Sequence, residues 1–419
     1  MEVSRGYMQT EVGVIPEDWE VKTLGEIGEV RMCKRVLKYQ TREHGDVPFY
    51  KIGTFGGVAD AFISRALFEE FKRKYSFPKK GDVLISAAGT IGRAVVYDGA
   101  PAYFQDSNIV WIENDESKTT NAYLWHRYQV TKWAISHGGT VARLYNDNLR
   151  TRIYVPIPPL PEQRAIASAL SDVDALLGGL ERLISKKRDL KQATMQQLLT
   201  GQPRLPGYHG EWATKELGKL GKISGAGVDK KIRPGEPPVR LVNYMDVYRR
   251  NFIYSKDLDH VVSASVDQAA QCAVRKGDVF FTPSSEMPFD IAVSAVAMED
   301  IPDACYSYHV VRLRLDEDWD LNFRTYAFKT KAFFDQAART CEGSGVRYVI
   351  TQGKFRQLTI RYPTDKAEQT AIAEVLTEMD AELTALEARR EKTRDLKQAM
   401  MQDLLTGKTR LVKPEVVHA

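Results

Sequence analysis

Four cysteines in 419 residues, Cys33, Cys272, Cys305 and Cys341, are too few and too scattered for a disulfide framework or a zinc-ligand set. The seven histidines form no H-E-x-x-H or comparable pair, so no metal site is expected. No apolar run approaches the ~20 residues that span a bilayer. The opening MEVSRGYMQTEVG lacks the apolar core of a signal peptide, which gives a cytoplasmic expectation. No G-x-x-x-x-G-K-[ST] is present, so no P-loop for ATP is expected. The only Pro-Pro pairs, Pro158-Pro159 and Pro237-Pro238, lack the Asn/Asp-Pro-Pro-aromatic setting that an adenine methyltransferase needs. With no nucleophile–base constellation either, covalent chemistry is not expected of this chain. Charge of one sign is also scarce: the formal net charge is +4, so any basic face has to be built from local clusters.

What the chain does have is a stretch that occurs twice. From Glu162 it reads EQRAIASALSDVDALLGGLERLISKKRDLKQATMQQLLTGQPRL, and from Glu368 EQTAIAEVLTEMDAELTALEARREKTRDLKQAMMQDLLTGKTRL. At an offset of 206 (368 − 162), 26 of 45 positions from Pro161 to Leu205 match those from Ala367 to Leu411. Apolar residues at Ile166, Leu170, Val173, Leu177, Leu180 and Ile184 alternate steps of four and three. Ile372, Leu376, Met379, Leu383 and Leu386 repeat that rhythm, the seam of helices packed along their lengths. After a charged middle, each seam is expected to resume through Leu190 and Leu198, or Leu396 and Leu404. Gly201 and Gly407 suit the left-handed residue that closes a helix. Helix one leads into a second block and helix two leaves it, so a block with neighbouring ends brings helix two back antiparallel.

The blocks themselves, 1–157 and 206–363, begin alike: Trp19, Leu24 and Gly25 align with Trp212, Leu217 and Gly218. Lys80-Gly81-Asp82-Val83 likewise matches Lys276-Gly277-Asp278-Val279. β-branched and aromatic runs bounded by Gly and Pro read as strands, and helical patterns fall near 120–136 and 322–340. The expected fold is therefore α+β: two mixed α/β domains separated by two long antiparallel coiled-coil helices in a pseudo-two-fold repeat. The expected divisions are 1–157, 158–205 (helix one), 206–363 and 364–419 (helix two and tail).

Candidate contact residues cluster beside Gly-rich turns. In block one, Gly89-Thr90-Ile91-Gly92-Arg93 lets a backbone approach a ligand and offers an arginine to a phosphate. GGTVARLYNDNLRTR supplies Arg143, Tyr145, Asn148 and Arg150, and Lys34 and Arg35 add charge. Block two offers Arg233, Arg249 and Ser284, then Arg347, Tyr348, Lys354 and Arg356 from GSGVRYVITQGKFRQ. Arg pairs with guanine, Asn with adenine, and Tyr stacks or meets phosphate, so these fifteen residues are expected to contact DNA. A coiled-coil seam alone does not require identical polar residues in the two RDLKQA runs. Arg188, Leu190, Gln192 and Leu198, with Arg394, Leu396, Gln398 and Leu404, are therefore the expected protein-partner surface.

GVIPEDWEVKTLGEIG, KKGDVLISAAGTIGRAVV, PIPPLPEQRAIASALSDVDALL, the two RDLKQA…LLTG helix ends and the repeated layout together resemble the specificity subunit (HsdS) of type I restriction–modification enzymes. The likeness covers nearly the whole chain. Block two departs from it in reading SSEMP (Ser284–Pro288) for GTIG and YPTDKAEQ for PPLPEQ. The resemblance implies that the blocks are target-recognition domains and the helices spacers, with no catalysis by the chain itself. It implies a split, asymmetric duplex target, two adenine-N6 methyltransferase subunits that use S-adenosylmethionine, and two translocase/endonuclease subunits that use ATP and Mg. The rivals are a specificity subunit whose partner fuses methyltransferase and nuclease, and a coiled-coil adaptor that binds no DNA. Half-sites on one side of a duplex lie ~10 bp apart or a multiple of it. Inserting one heptad in both helices is thus expected to change the unread gap and leave the half-sites intact; methylation-site mapping with an unaltered gap would refute this.

Overall fold

The computed structural model describes residues 5–133 and 143–412. The chain divides into two compact units, Met1–Glu181 with Arg389–Ala419, and Arg182–Ala388. Each unit holds one block together with the start of one long helix and the end of the other. The helices run over Leu160–Leu198 and Lys366–Leu404, 39 residues each. Among the described residues no helix is long and apolar enough to cross a membrane.

In the first unit, the strands Gly28–Met32, Ile109–Asn114, Val83–Ser86 and Ala94–Val96 lie side by side in that order, every pair antiparallel. Phe62–Ile63, Val47–Tyr50 and Tyr103–Phe104 form a smaller mixed sheet. The central strand Ile109–Asn114 alternates between two cores: Val110 and Ile112 face one, Ile109 and Trp111 the other. The second unit repeats the plan with a five-stranded sheet, ordered Gly221–Ser224, Val311–Leu315, Val279–Phe281, Ser294–Ala297 and Phe252–Ile253. A four-stranded sheet lies around Pro238–Val242 and Ile301–Tyr306. The helical pattern expected near 322–340 is two helices, Leu321–Ala327 and Lys331–Thr340, each started by a side-chain cap, Asp320 and Thr330.

The ends of each block are neighbours because its first shared strand pairs antiparallel with its last. Glu20–Thr23 pairs with Tyr154–Ile157, and Trp212–Glu216 with Thr359–Pro363. The strand therefore delivers the chain directly into a long helix. There, Glu162 is 1% exposed, accepts from Trp19 Nε1 at 3.0 Å, and takes Arg410 Nε and Nη2 at 2.6 and 2.7 Å. The second unit repeats the device: Glu368 accepts from Trp212 Nε1 at 3.3 Å and from Arg204 Nε at 2.9 Å. Gly407 and Gly201 close the helices at φ +71° each; a Cβ on Gly407 would collide with Pro16 at 2.4 Å, and one on Gly201 would crowd Trp212 at 3.1 Å. The next residue, Gln163, accepts from Thr120 N, the cap of helix Asn121–Val130, and Gln369 accepts from Asp320 N in the same way.

The helix segments also pair along their sides. Lys397–Asp174 and Arg394–Glu181 join them in the first unit, and Lys191–Asp380 and Arg188–Glu387 in the second. Partner numbers fall as residue numbers rise, so the segments are antiparallel within each unit. Ile166, Leu170, Leu180, Ile184, Ile372, Leu376 and Leu383 are buried as the seam requires. Leu190 and Leu396 do not continue it. They are 50% and 54% exposed, because the buried stripe turns through Lys191 to Met195, and through Lys397 to Met401.

Removing the buried carboxylate leaves the Trp19 indole N–H without its acceptor and Arg410 with Asp18 alone, at a cost of a few kcal/mol. Glu162→Ala and Glu368→Ala are each expected to destabilise their unit by roughly 3 kcal/mol, with Trp19→Phe nearer ~1 kcal/mol. Urea unfolding measures this; losses of Glu162 or Glu368 below those of Trp19→Phe would show that the carboxylates do not anchor the helix.

Candidate nucleic-acid interface

In the second unit the polar face is built from three backbone segments. Val228 makes a parallel bridge to Ser307, Val228 N donates to Tyr306 O at 2.9 Å, and Tyr308 N donates to Val228 O at 3.1 Å. Gly227 permits this approach, since a Cβ there would meet the Ser307 carbonyl carbon at 2.3 Å. Lys230 follows two residues after Val228, and the Tyr308 and His309 rings have centroids 3.9 Å apart. The third segment is the hairpin of Glu342–Ser344 and Arg347–Val349, which adds Ser284–Ser285 as a third strand. Its tip residue Val346 is 84% exposed, and Arg347 beside it is exposed.

Partial burial, followed by the positive fields of Lys230 and Arg347, holds the His309 imidazole below its ordinary value. A neutral ring presents one donor and one acceptor nitrogen, chemistry suited to a base edge, within the field of two cations suited to phosphates. Arg347 is among the residues expected from the sequence, whereas Tyr308 and His309 are not. The signal available was position: both immediately precede a central strand, Val311–Leu315, after a turn.

The first unit has the same layout with other side chains. Asp106, Ser107 and Asn108 precede the central strand Ile109–Asn114, and Arg143 Nη2 donates to Ser107 O at 2.9 Å and Asn108 Oδ1 at 3.2 Å. A cleft of about 410 Å³ lies here, lined by Met32, Arg143 and Tyr145 among others. Tyr145 is exposed, and Arg35 pairs with Asp106 at 2.8 Å on the same segment. Of GGTVAR, the residues Gly138–Ala142 lie outside the described residues.

The other expected contacts divide. Arg150, Arg249 and Arg356 are exposed, with Arg356 reaching Ile223 O at 3.4 Å. Lys34 is exposed over the Tyr75 ring. Thr90 is exposed in a turn where Gly89 and Gly92 have φ +63° and +81°. Arg93 Nη1 donates to Phe55 O at 2.7 Å and so braces a neighbouring loop. Arg233 pairs with Asp229, and Lys354 with Glu342 at 2.7 Å, so both are partly neutralised within the fold. Ser284 and Tyr348 are half-buried strand residues. Asn148 is a correction: it is buried, held inside the domain by the short helix Asn146–Thr151.

The partner surface is also narrowed. Leu198 and Leu404 are buried in the cores of their units and present nothing to a partner. Arg188 and Arg394 are engaged by Glu387 and Glu181. Leu190, Gln192, Leu396 and Gln398 remain exposed. Identity between the RDLKQA runs is thus partly intramolecular, since Lys191 and Lys397 meet equivalent aspartates at an offset of 206 (380 − 174).

Comparison with known proteins agrees with this layout. The family model described as the type I restriction modification DNA specificity domain matches residues 16–187 and 209–394. A putative type I restriction enzyme specificity subunit of Haemophilus influenzae is 58% identical over 166 residues, 40% of this chain and 43% of that protein. The chain therefore spans less than half the length of that relative. The putative MjaX specificity subunit of Methanocaldococcus jannaschii is 23% identical over 437 residues, covering 97% of each. Among solved structures, the type I S subunit from M. genitalium has a TM-score of 0.56 at 13% identity, covering 96% of this chain and 98% of that one, which supports the fold.

If Lys230 and Arg347 meet phosphates, Lys230→Ala and Arg347→Ala each lower the salt slope of duplex binding by about 1. His309→Ala is expected to leave the slope unaltered and relax sequence preference. Binding isotherms across a salt series check both, and slopes equal to wild type in all three variants would remove this face from the interface.

Proposed function

The chain belongs to the type I restriction–modification DNA specificity family, and on that premise we propose that its two units read the two halves of a split, asymmetric duplex target. The observation that carries this reading is a repeated frame with unlike contact loops. The Trp–Glu–Arg anchor, the helix pairings and the position of the loop before the central strand recur in both units. The side chains on that loop do not: Ser107 and Asn108 in one, Tyr308 and His309 in the other. Two readers of one build and different chemistry suit two different half-sites.

In this reading the chain is non-catalytic. It recruits two methyltransferase subunits, which bring S-adenosylmethionine, and two translocase/endonuclease subunits, which bring ATP and Mg. The exposed Leu190, Gln192, Leu396 and Gln398 of the helices are the surface offered to them. The reacting adenine has to leave the base stack to enter a methyltransferase, so holding distorted DNA falls to the same domains.

Methylome sequencing of a host that expresses the chain with its neighbouring methyltransferase subunit tests the proposal. A bipartite motif carrying methyl-adenine in both halves is expected, and its loss when the chain is deleted. Unchanged methylation with both proteins expressed and folded would favour the adaptor reading.

A further inference from the structure

A second polar feature of the first unit is not used by the reading above. Arg127, near the end of helix Asn121–Val130, is half-buried. Its Nη1 reaches Leu405 O at 3.5 Å, a long contact, and its Nε is buried with no hydrogen-bond partner among the described residues. No carboxylate pairs with it among the described residues, although Arg410 and Lys397 of the same unit each have one. Burial holds the Arg127 guanidinium below its ordinary value, yet a guanidinium does not give up its proton in a protein. A half-buried cation with an unpartnered Nε and no counter-ion among the described residues is costly, and an anion from outside relieves it.

The route for that anion is present. Arg127 lines a solvent-connected cleft of about 540 Å³, whose other walls include Lys132, Arg152, Tyr154, Met401 and a single carboxylate, Glu11. Lys132 and Arg152 are exposed, so they add long-range attraction at the mouth. Three cations against one carboxylate leave the cleft positive, in a chain whose net charge is close to balanced. An arginine fork with free N–H groups suits the oxygens of a phosphate in particular.

We propose that this cleft binds a phosphate-class oxyanion, with Arg127 as its principal donor and Lys132 and Arg152 as the attracting rim. The anion is a free phosphate or phosphate ester, or a backbone phosphate of DNA. The two sources share the same chemistry at Arg127 and are separable by experiment.

The test uses the full chain and inorganic phosphate. In phosphate-free and sulfate-free buffer, adding about 10 mM phosphate is expected to raise the melting temperature saturably, by about 2 °C or more. Arg127→Met removes the uncompensated charge while keeping an apolar stem. It is expected to melt no lower than wild type without phosphate and to ignore added phosphate. Arg127→Lys keeps a cation and is expected to retain a weaker response. Absence of a phosphate response in wild type overturns the proposal, as does a response undiminished in Arg127→Met. A marked drop in melting temperature for Arg127→Met in phosphate-free buffer also overturns it, because the charge is then compensated within the chain. If the site is established, duplex binding identifies the source. A salt slope lowered by about 1 in Arg127→Met assigns a DNA phosphate, and an unaltered slope assigns a free anion. The thermal readout needs no DNA, so its failure is separable from failure of the DNA-reading proposal.

Discussion

The contact on which each unit depends is a buried glutamate held between a tryptophan and an arginine. Glu162 and Glu368 stand at the starts of the long helices, where a carboxylate is favoured by the helix dipole and by unpaired backbone N–H groups. Burial makes an unsatisfied carboxylate expensive, so its partners have to be supplied in fixed places. Trp19 immediately precedes, and Trp212 opens, the strand that pairs with the last strand of its block, and Arg410 and Arg204 follow the end of the opposite helix. One ion pair thereby ties together three distant stretches of chain. The Leu-Leu-Thr-Gly that precedes each arginine serves the same junction. Its leucines fill the core, and its glycine turns the chain at positive φ with the tryptophan ring packed close against it.

That junction explains why so much of the helices is duplicated. Each helix has a start that receives an arginine and an end that donates one, and the same holds for the Asp174 and Asp380 pairings with Lys397 and Lys191. A substitution in one copy therefore has to agree with the other copy and not only with its own neighbours. The block loops carry no such obligation. His309 and Asn108 occupy corresponding places and have different hydrogen-bonding chemistry, which the frame tolerates because both loops are fixed through backbone contacts.

The frame was legible in the sequence because repeats and heptads are periodic, and periodicity maps directly onto helix faces. Strands bounded by glycine, and the closing roles of Gly201 and Gly407, were readable for the same local reasons. The contact face was less so. Arg93, exposed as a phosphate ligand has to be, also braces Phe55, and Asn148, expected to read a base, is buried, since burial is set by tertiary packing that no local pattern reveals. Leu190 and Leu396 fell on the expected rhythm and still face outward, because a lysine with an aspartate opposite takes the seam position. Tyr308 and His309 carried no motif; their place before the central strand and the fields of Lys230 and Arg347 on His309 mark it.

The topology imposes a difference between the two units that the sequence symmetry hides. The second unit is one continuous stretch, Arg182–Ala388, whereas the first needs Arg389–Ala419 to return to Met1–Glu181. Closing a loop of that length costs entropy that rises only with the logarithm of its length, and a folded insert with neighbouring ends shortens the effective loop. Pairing of Thr359–Pro363 with Trp212–Glu216 brings together the ends of the second block. Arg410 and the leucines before it then complete the first unit last in chain order, filling a core that already contains Trp19 and Ile166. The same Glu–Arg chemistry thus closes a separation of 164 residues in one unit and of 248 in the other.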